Sequence, residues 1–272
     1  MTIAQACTIA GSDSGGGAGI QADLKTFQER RVFGTSVIVA ITAQNTKGVH
    51  RIDKLPHESV RAQLEAVFDD FNLGAIKTGM LADETYIREI AHFLRQYPNV
   101  PLVVDPVMIA KGGAALMENA SLSAMIEEMV PLATLITPNI PEAETITGMT
   151  IKTEQDMLNT AKKIQALGSK NVLVKGGHAL NDGEARDCLV TSEGEVRWFG
   201  GPRYDTKDTH GTGCTYSACI TAELAKGHTM IEAVEVGKRY IDAAIRDGLG
   251  IGHGHGPTNH WAYRKVEKSH DD

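Results

Sequence analysis

Short, continuous apolar runs alternate with longer segments of helical periodicity along most of this 272-residue chain. Runs that are apolar throughout are typical of strands buried on both faces, as in a parallel sheet. The alternation therefore predicts an α/β fold of three layers (αβα), with helices on both faces of a mostly parallel central sheet. We expect strands at residues 6–10, 35–42, 75–78, 102–105, 135–137, 171–175, 188–191 and 196–199. We expect helices at residues 19–29, 57–70, 82–96, 141–147, 154–167, 211–226 and 229–247.

The last two predicted strands follow each other too closely for a crossover helix. Only Ser-Glu-Gly-Glu separates residues 188–191 from residues 196–199, which predicts an antiparallel hairpin. The sequence has no internal repeat and no low-complexity linker, so we expect a single domain over residues 1–272. The polar residues 263–272 are expected to form a frayed tail.

Composition excludes several classes of protein. The net charge of −7, from 34 acidic and 27 basic residues, argues against a nucleic-acid partner, because such proteins normally carry a basic face. No apolar run reaches about 18 residues, so no membrane-spanning helix and no membrane partner are expected. The four cysteines are scattered without a CxxC pair, and no secretory signal is recognised. We therefore expect reduced thiols in a cytoplasmic protein.

The first predicted strand runs into a glycine-rich loop, Gly11-Ser-Asp-Ser-Gly-Gly-Gly-Ala-Gly19, and then into a helix. Glycines let backbone N–H groups approach a ligand closely. Residues 17–22 formally fit the dinucleotide fingerprint G-x-G-x-x-A, but no acidic residue follows the next strand, and no Gly-Lys-Ser/Thr makes a Walker loop. A plain strand-to-helix turn is the structural alternative, although five glycines in nine residues are more than it needs.

A second glycine-rich segment, Gly-Thr-Gly-Cys at residues 211–214, opens a predicted helix. The first N–H groups of a helix lack intrahelical acceptors, and the helix dipole favours an anion beside them. Ordinary capping by Asp208 or Thr209 is the alternative. Capping does not require two glycines, which weaken a first turn, so the segment indicates an anion-binding site.

Charged residues stand at the ends of other predicted strands. Asp105 ends one strand, and Glu142 follows the next within Thr-Pro-Asn-Ile-Pro-Glu. Carboxylates suit Mg²⁺, which keeps several waters and shares phosphate oxygens, but Asn139 and Glu142 also match the spacing of a helix capping box. Lys175 closes a third strand, where it would contact a phosphate or simply reach solvent. Lys238, in the last long helix, is by itself no more than a solvated residue.

Seven segments together resemble the hydroxymethylpyrimidine/phosphomethylpyrimidine kinases of thiamine biosynthesis, within the ribokinase superfamily. The segments are AGSDSGGGAGIQADLKT at residues 10–26, TAQN at 42–45, KTGM at 77–80, VDPV at 104–107, TPNIPE at 137–142, VKGG at 174–177 and GTGC at 211–214. One such segment alone is a weak signal, whereas seven in the family's order are highly specific.

The resemblance implies a kinase that uses ATP and Mg²⁺ to phosphorylate 4-amino-5-hydroxymethyl-2-methylpyrimidine and then its monophosphate, with a homodimer as the assembly. It implies a ribokinase-like fold and magnesium near Asp105 and Glu142. The implied substrate pocket consists of Gln44, which would bond the pyrimidine, with Gly11, Asp23, Met80 and Val107. The implied catalytic anion hole is Gly211, Thr212, Gly213 and Cys214, and the implied nucleotide side is Asn139, Glu142, Lys175, Asp205 and Lys238.

Cys214 stands where sugar kinases of this superfamily have a catalytic aspartate. A thiol at a helix N-terminus can have a lowered pKa, so Cys214 would serve as the base or orient the hydroxyl group; the alternative is a small residue lining the pocket. Two other functions stay open, a pyridoxal kinase and a non-catalytic vitamin-precursor sensor. Relatives that handle pyridoxal well have a second cysteine, and the matching position here is Ala110, so we expect slow pyridoxal turnover.

Overall fold

The computed structural model describes residues 3–108, 119–176 and 184–264. In these ranges the chain alternates between strands and helices, as the sequence predicts. The strands are β1 (Gln5–Asp13), β2 (Phe33–Asn45), β3 (Gly48–Lys54), β4 (Ala75–Thr78), β5 (Leu102–Val104), β6 (Leu135–Ile136), β7 (Asn171–Lys175), β8 (Asp187–Val190) and β9 (Val196–Phe199). The α-helices are α1 (Gly19–Glu29), α2 (His57–Asp70), α3 (Glu84–Leu94), α4 (Asn119–Ala124), α5 (Ile140–Thr147), α6 (Glu154–Ala166), α7 (Thr212–Ala225) and α8 (Met230–Arg246).

The strands form one sheet in the order β3-β2-β1-β4-β5-β6-β7-β8-β9. The six central strands from β2 to β7 pair in parallel, while β3, β8 and β9 add antiparallel edges. The predicted mostly parallel sheet and the predicted β8–β9 hairpin are both confirmed. Because parallel strands point the same way, the loops after β1, β4, β5, β6 and β7 all leave the sheet at one edge.

Each face of the sheet has its own hydrophobic core. On one face, Val104 and Val172 pack with residues of α2, α3, α5 and α6. On the other face, Val103 and Leu173, one position along the same strands, pack with residues of α7 and α8. Successive side chains of a strand point to opposite faces, so apolar residues at consecutive positions are what a sheet covered on both sides requires.

Three features differ from the sequence prediction. Strand β3 has no buried residue, so its sequence carries no apolar pattern. The helical stretch α4 continues as a π-helix over Met125–Met129 and a 3₁₀-helix over Val130–Leu132, and it too was not predicted. The expected frayed tail is wrong for Tyr263, which is buried and packs 5.5 Å from Tyr240 between ring centroids.

No helix in the described ranges combines the length and the apolar character that crossing a bilayer requires.

Candidate active site

One cavity of about 610 Å³ lies at the edge of the sheet where the parallel strands end. Its walls come from the ends of β1, β2, β4, β5, β6 and β7 and from the start of α7. This is the place where open α/β sheets bind their ligands. The cavity brings together most of the sequence-predicted site residues: Gly11, Gln44, Met80, Asp105, Val107, Asn139, Glu142, Lys175, Gly211, Thr212, Gly213 and Cys214.

Three predicted site residues do not line this cavity: Asp23, Asp205 and Lys238. Asp205 is exposed outside it. The prediction that Asp23 lines the substrate pocket is wrong, because its side chain is fully buried inside the fold. Lys238 is also nearly buried, under the sheet's α7–α8 side.

Asp23 forms a fully buried ion pair with Lys77, whose Nζ lies 2.9 Å from Asp23 Oδ2. The hydroxyl group of Thr8 donates to the same oxygen at 2.6 Å. Burial works against the charge of Lys77, yet Asp23 and, more weakly, Cys214 and Asp105 raise the pKa of this lysine, so the ammonium form is retained. The pair lies just behind the cavity wall, because a Cβ atom on Gly79, which lines the cavity, would come within 3.5 Å of Lys77 Nζ. The sequence analysis missed this pairing.

Lys238 affects the cavity indirectly, through Asp187. Its Nζ lies 3.1 Å from Asp187 Oδ2 and donates to the carbonyl oxygen of Ala185 at 3.0 Å. The other carboxylate oxygen of Asp187 accepts the Gly176 N–H at 3.0 Å, and Gly176 lines the cavity. Lys238 thus fixes the turn that follows Lys175 and contacts no cavity space itself.

The start of α7 is shaped by two glycines. Gly211 has a left-handed φ of 79°, and a Cβ atom built on it would lie 1.7 Å from the carbonyl oxygen of Gly17. Only glycine therefore allows α7 to begin directly against the glycine-rich loop. Over the described part of the chain, the N–H groups of Gly213 and Cys214 find no protein acceptor. They are the free donors that an anion hole needs.

Cys214 lines the cavity, but its thiol is not activated in this structure. Burial raises the pKa of Cys214 to about 12, although Lys77 and the N–H of Gly19 act in the opposite direction. The lowered pKa expected from the helix N-terminus is therefore wrong, since desolvation of the thiolate outweighs the helix dipole. Cys214 lines the cavity as a thiol whose pKa is raised, and its role in catalysis stays a prediction.

Asp105 is the most buried carboxylate of the cavity wall, with 2% exposure. Lys175 Nζ lies 3.3 Å from its Oδ1, and Ser217 Oγ lies 3.2 Å from its Oδ2. A Cβ atom on Gly213 would come within 3.3 Å of Lys175 Nζ and 3.6 Å of Asp105 Oδ2. The lysine and the carboxylate therefore stand directly against the free N–H groups of α7.

Asn139 and Glu142 form the capping box of α5, so the structural alternative for this pair is confirmed. The Asn139 side chain accepts the Glu142 N–H at 2.9 Å, and Glu142 Oε2 accepts the Asn139 N–H at 2.8 Å. Burial, helped by the charge of Asp105, raises the pKa of Glu142 to about 7 against the opposing effect of Lys175. Both residues also line the cavity, so capping does not remove them from it.

The electrostatics of Asp105 and Glu142 suit a magnesium ion between them. The charge of Asp105 helps to raise the pKa of Glu142, and a divalent cation beside the two carboxylates would relieve this repulsion. Among the described residues there is no group of three or more metal-ligating side chains. Magnesium bound here would take its remaining ligands from water and phosphate oxygens, as this ion commonly does.

A group that the sequence analysis missed lies beside Gln44. His210 Nε2 is 2.8 Å from Asp13 Oδ2 and 3.3 Å from Gln44 Nε2. All three residues line the cavity. Asp13 lies in the glycine-rich loop and His210 immediately precedes Gly211, so the pair links that loop to the start of α7. In the sequence, His210 is marked only by its position directly before the Gly-Thr-Gly-Cys segment.

Comparison with known proteins places the chain among kinases. A relative from Haemophilus influenzae, a hydroxymethylpyrimidine/phosphomethylpyrimidine kinase, is 53% identical over 97% of this chain and 99% of the relative. The ADP complex of Bacillus subtilis pyridoxal kinase superposes with a TM-score of 0.90 at 41% identity, covering 97% of this chain and 99% of that one. Phosphomethylpyrimidine kinase from Clostridium difficile gives a TM-score of 0.78 at 47% identity, covering 88% and 98%.

The mostly parallel sheet between two helical layers, with its cavity at the strand ends, is that of a ribokinase-like small-molecule kinase. The family described as phosphomethylpyrimidine kinase matches residues 13–259, which is most of the sequence. The chain belongs to that family.

Proposed function

We propose that this protein transfers the γ-phosphoryl group of ATP to 4-amino-5-hydroxymethyl-2-methylpyrimidine and then to its monophosphate, in the synthesis of thiamine diphosphate. The observation that carries the proposal is the free N–H groups of Gly213 and Cys214, set against Lys175 and Asp105 in one cavity. Phosphoryl transfer depends mainly on positioning and on charge stabilisation, and this arrangement can provide both. The relatives named above support the choice of the pyrimidine.

In this proposal, each wall of the cavity has its own task. Gln44, Gly11, Met80 and Val107 hold the ring, with Cys214 beside the hydroxymethyl group. The N–H groups of residues 211–214 stabilise the charge that develops on the transferred phosphoryl group. Asn139, Glu142 and Lys175 face the nucleotide, and Lys175 neutralises phosphate charge.

Asp105 and Glu142 would hold Mg²⁺, which supplies charge neutralisation at the phosphates when it is bound. The protein's own residues set its surroundings: Ser217 and Lys175 orient the Asp105 carboxylate, and Asn139 orients that of Glu142. We propose a single domain in the cytoplasm, as the sequence organisation and the scattered cysteines suggest. The homodimer is proposed from the resemblance to the kinase family.

The test is ADP release with ATP and Mg²⁺ and each ring compound in turn. We expect turnover of the hydroxymethylpyrimidine and of its monophosphate. Lys175→Met should lower this turnover strongly. Lys170→Met changes an exposed lysine immediately before the opposite end of β7 and should leave turnover unchanged. Binding of both ligands without ADP release would favour the vitamin-precursor sensor, and no binding at all would reject both.

Pyridoxal is the second candidate substrate, because the Bacillus subtilis relative with a TM-score of 0.90 is a pyridoxal kinase. Ala110, the position expected to limit pyridoxal turnover, lies outside the described residues. We expect kcat/KM for pyridoxal to be below that for the pyrimidine on the same preparation. Ala110→Cys should raise pyridoxal turnover, whereas a wild-type ratio in favour of pyridoxal would reverse the assignment.

A further inference from the structure

His210 is buried in the cavity wall between the glycine-rich loop and Gln44, with 8% exposure. Its Nε2 atom has two close neighbours, Asp13 Oδ2 at 2.8 Å and Gln44 Nε2 at 3.3 Å. A single ring nitrogen cannot both donate to the carboxylate and accept from the amide. The state of Asp13 decides which of the two bonds exists.

Asp13 is held as an ionised carboxylate. It accepts N–H groups from Gly15 at 2.8 Å, Gly17 at 3.1 Å and Ala18 at 2.9 Å. Burial alone would raise the pKa of Asp13, but His210 and these amides lower it below its ordinary value. An ionised carboxylate can only accept hydrogen bonds, so Nε2 of His210 must carry a hydrogen and donate it to Asp13.

The Gln44 amide nitrogen therefore faces another donor. At the other end of the same carboxamide, Oε1 lies 3.2 Å from Thr42 Oγ1. Thr42 has a single hydroxyl hydrogen, and the carbonyl oxygen of Ser12, which can only accept, is closer at 2.9 Å. Both neighbours of the carboxamide are thus better matched when it is turned by about 180°, with oxygen towards His210 and NH₂ towards Thr42.

The backbone of Gln44 is held in place by the Ser14 side chain. Ser14 Oγ accepts the Gln44 N–H at 2.8 Å and donates to the Gln44 carbonyl oxygen at 2.8 Å. With the backbone fixed on both sides, the Gln44 carboxamide can be reoriented only by rotation about the side-chain bonds. In either orientation, oxygen and nitrogen each keep one further bonding position for a ligand.

We propose that His210, oriented by Asp13, is a positioning residue that permits one orientation of the Gln44 carboxamide and so makes the cavity select an aminopyrimidine ring over the corresponding oxopyrimidine. The edge of the amino ring presents a donor NH₂ next to an acceptor nitrogen. The oxo ring presents the reverse, an acceptor oxygen next to a donor N–H. A carboxamide that cannot turn pairs with one of these edges only.

This inference rests on the proposed function for the identity of the ring, and its test compares two substrates on one enzyme. The substrates are 4-amino-5-hydroxymethyl-2-methylpyrimidine and its analogue with a 4-oxo group, and the readout is the ratio of their kcat/KM values. A mismatched edge leaves polar groups unpaired, so we expect the wild type to prefer the amino ring by about 100-fold or more.

Three variants isolate the role of the His210 N–H group. His210→Leu removes it and should lower the amino-to-oxo ratio by about three- to tenfold, because Asp13 and the Gln44 oxygen share the one Nε2 hydrogen. His210→Gln places an amide NH₂ near the Nε2 position and should keep the wild-type ratio. His253→Ala removes an exposed histidine of a neighbouring loop and serves as the control, with the ratio unchanged.

A purely structural role for His210 would lower turnover of both rings equally and leave the ratio in His210→Leu at the wild-type value, which would overturn the proposal. Nitrogen NMR of His210 in the ligand-free protein provides a test that does not need turnover. A hydrogen on Nε2 supports the proposal, and an unprotonated Nε2 overturns it. Absence of wild-type turnover with either pyrimidine would instead count against the proposed function.

Discussion

Among single residues, Cys214 shows how burial changes the chemistry expected from a sequence position. A helix N-terminus lowers the pKa of a thiol, yet here burial raises the pKa of Cys214 to about 12. We expect Cys214→Ala to keep kcat within about one order of magnitude of the wild type between about pH 6 and pH 9, because little thiolate exists there.

The control for this variant is Cys219→Ala, a buried cysteine further along α7 that does not line the cavity. Steady-state kinetics with the pyrimidine and ATP measure both variants. A loss of about 10²–10⁴-fold in Cys214→Ala alone, with unchanged KM for ATP, would restore the cysteine as a general base.

The charge of Lys77 contributes to stability because its partner Asp23 is fully buried. Lys77→Met leaves the buried Asp23 carboxylate without its ion-pair partner, so we expect the free energy of unfolding to fall by about 3–5 kcal/mol. The double variant Asp23→Asn with Lys77→Met should recover part of this loss, since no unpaired charge remains. Urea denaturation measures all three proteins.

Arg51→Met is the matched control, because Arg51 forms an ion pair of similar length with Asp53 on the protein surface. Exposed pairs contribute little, so its free energy of unfolding should hardly change. A Lys77→Met protein as stable as Arg51→Met would show that Asp23 is protonated when Lys77 is absent.

For single residues, the sequence predicted which side chains belong to the site better than it predicted their contact partners. Asp105, Glu142 and Lys175 end or follow strands, so the rule for ligands in open α/β sheets was enough to predict their place, whereas Gln44 was predicted from the resemblance to the kinase family. Asp13 and His210 are 197 positions apart, and no local pattern connects them. Asp23 was misplaced for the same reason: it faces Lys77, 54 positions away, and not the cavity.

Among the elements, α7 depends most on a single glycine. Gly211→Ala would need a left-handed backbone at φ 79° and would bring Cβ to 1.7 Å from the Gly17 carbonyl oxygen. The start of α7 must then move away from the glycine-rich loop. We expect kcat to fall by at least about 10²-fold, as when an oxyanion-hole donor is lost.

Gly227→Ala is a control that introduces the same left-handed backbone strain as Gly211→Ala but no steric clash. Gly227 follows the other end of α7 with a φ of 88°, and an added Cβ there meets nothing within 4 Å. This control should lose only about 1–2 kcal/mol of stability and keep its kcat. Thermal unfolding by circular dichroism and ADP release compare the two variants, and equal kcat values would show that the contact with Gly17 is not needed.

The accuracy of the predicted elements follows from how much of each is buried. Strands β4 and β7 and helices α1 and α2 have the predicted bounds, because apolar periodicity and turn residues mark both of their ends. Strand β3 was missed since its side chains are exposed or half-buried, so no periodicity marks it. Its pairing with β2 is a tertiary effect that the local sequence does not record.

For the whole molecule, the segment after α8 ties the start of α7 to helix α8. Thr258 donates its N–H to the carbonyl oxygen of His210 at 3.2 Å, and Tyr240 of α8 donates its hydroxyl to the carbonyl oxygen of His260 at 2.7 Å. His260 Nε2 lies 3.1 Å from Thr215 Oγ1 in the first turns of α7. The sequence suggested a frayed end beyond position 262, but burial of Tyr263 shows that the chain is packed up to there.

His260 makes the stability of this assembly depend on pH. Burial, with a smaller contribution from Lys25, lowers the pKa of His260 to about 4 from an ordinary 6.5. Between these values the unfolded chain binds a proton that the folded protein does not, so the free energy of unfolding falls as pH drops through this window. The full effect is on the order of 3 kcal/mol, and it is absent above the ordinary pKa.

His260→Gln, which cannot titrate, should lose less stability than the wild type between pH 7 and about pH 4 in urea denaturation. His253→Gln, at an exposed histidine, should behave as the wild type does. Equal acid sensitivity in His260→Gln and the wild type would mean that His260 becomes charged without disturbing the contact between the C-terminal segment and α7.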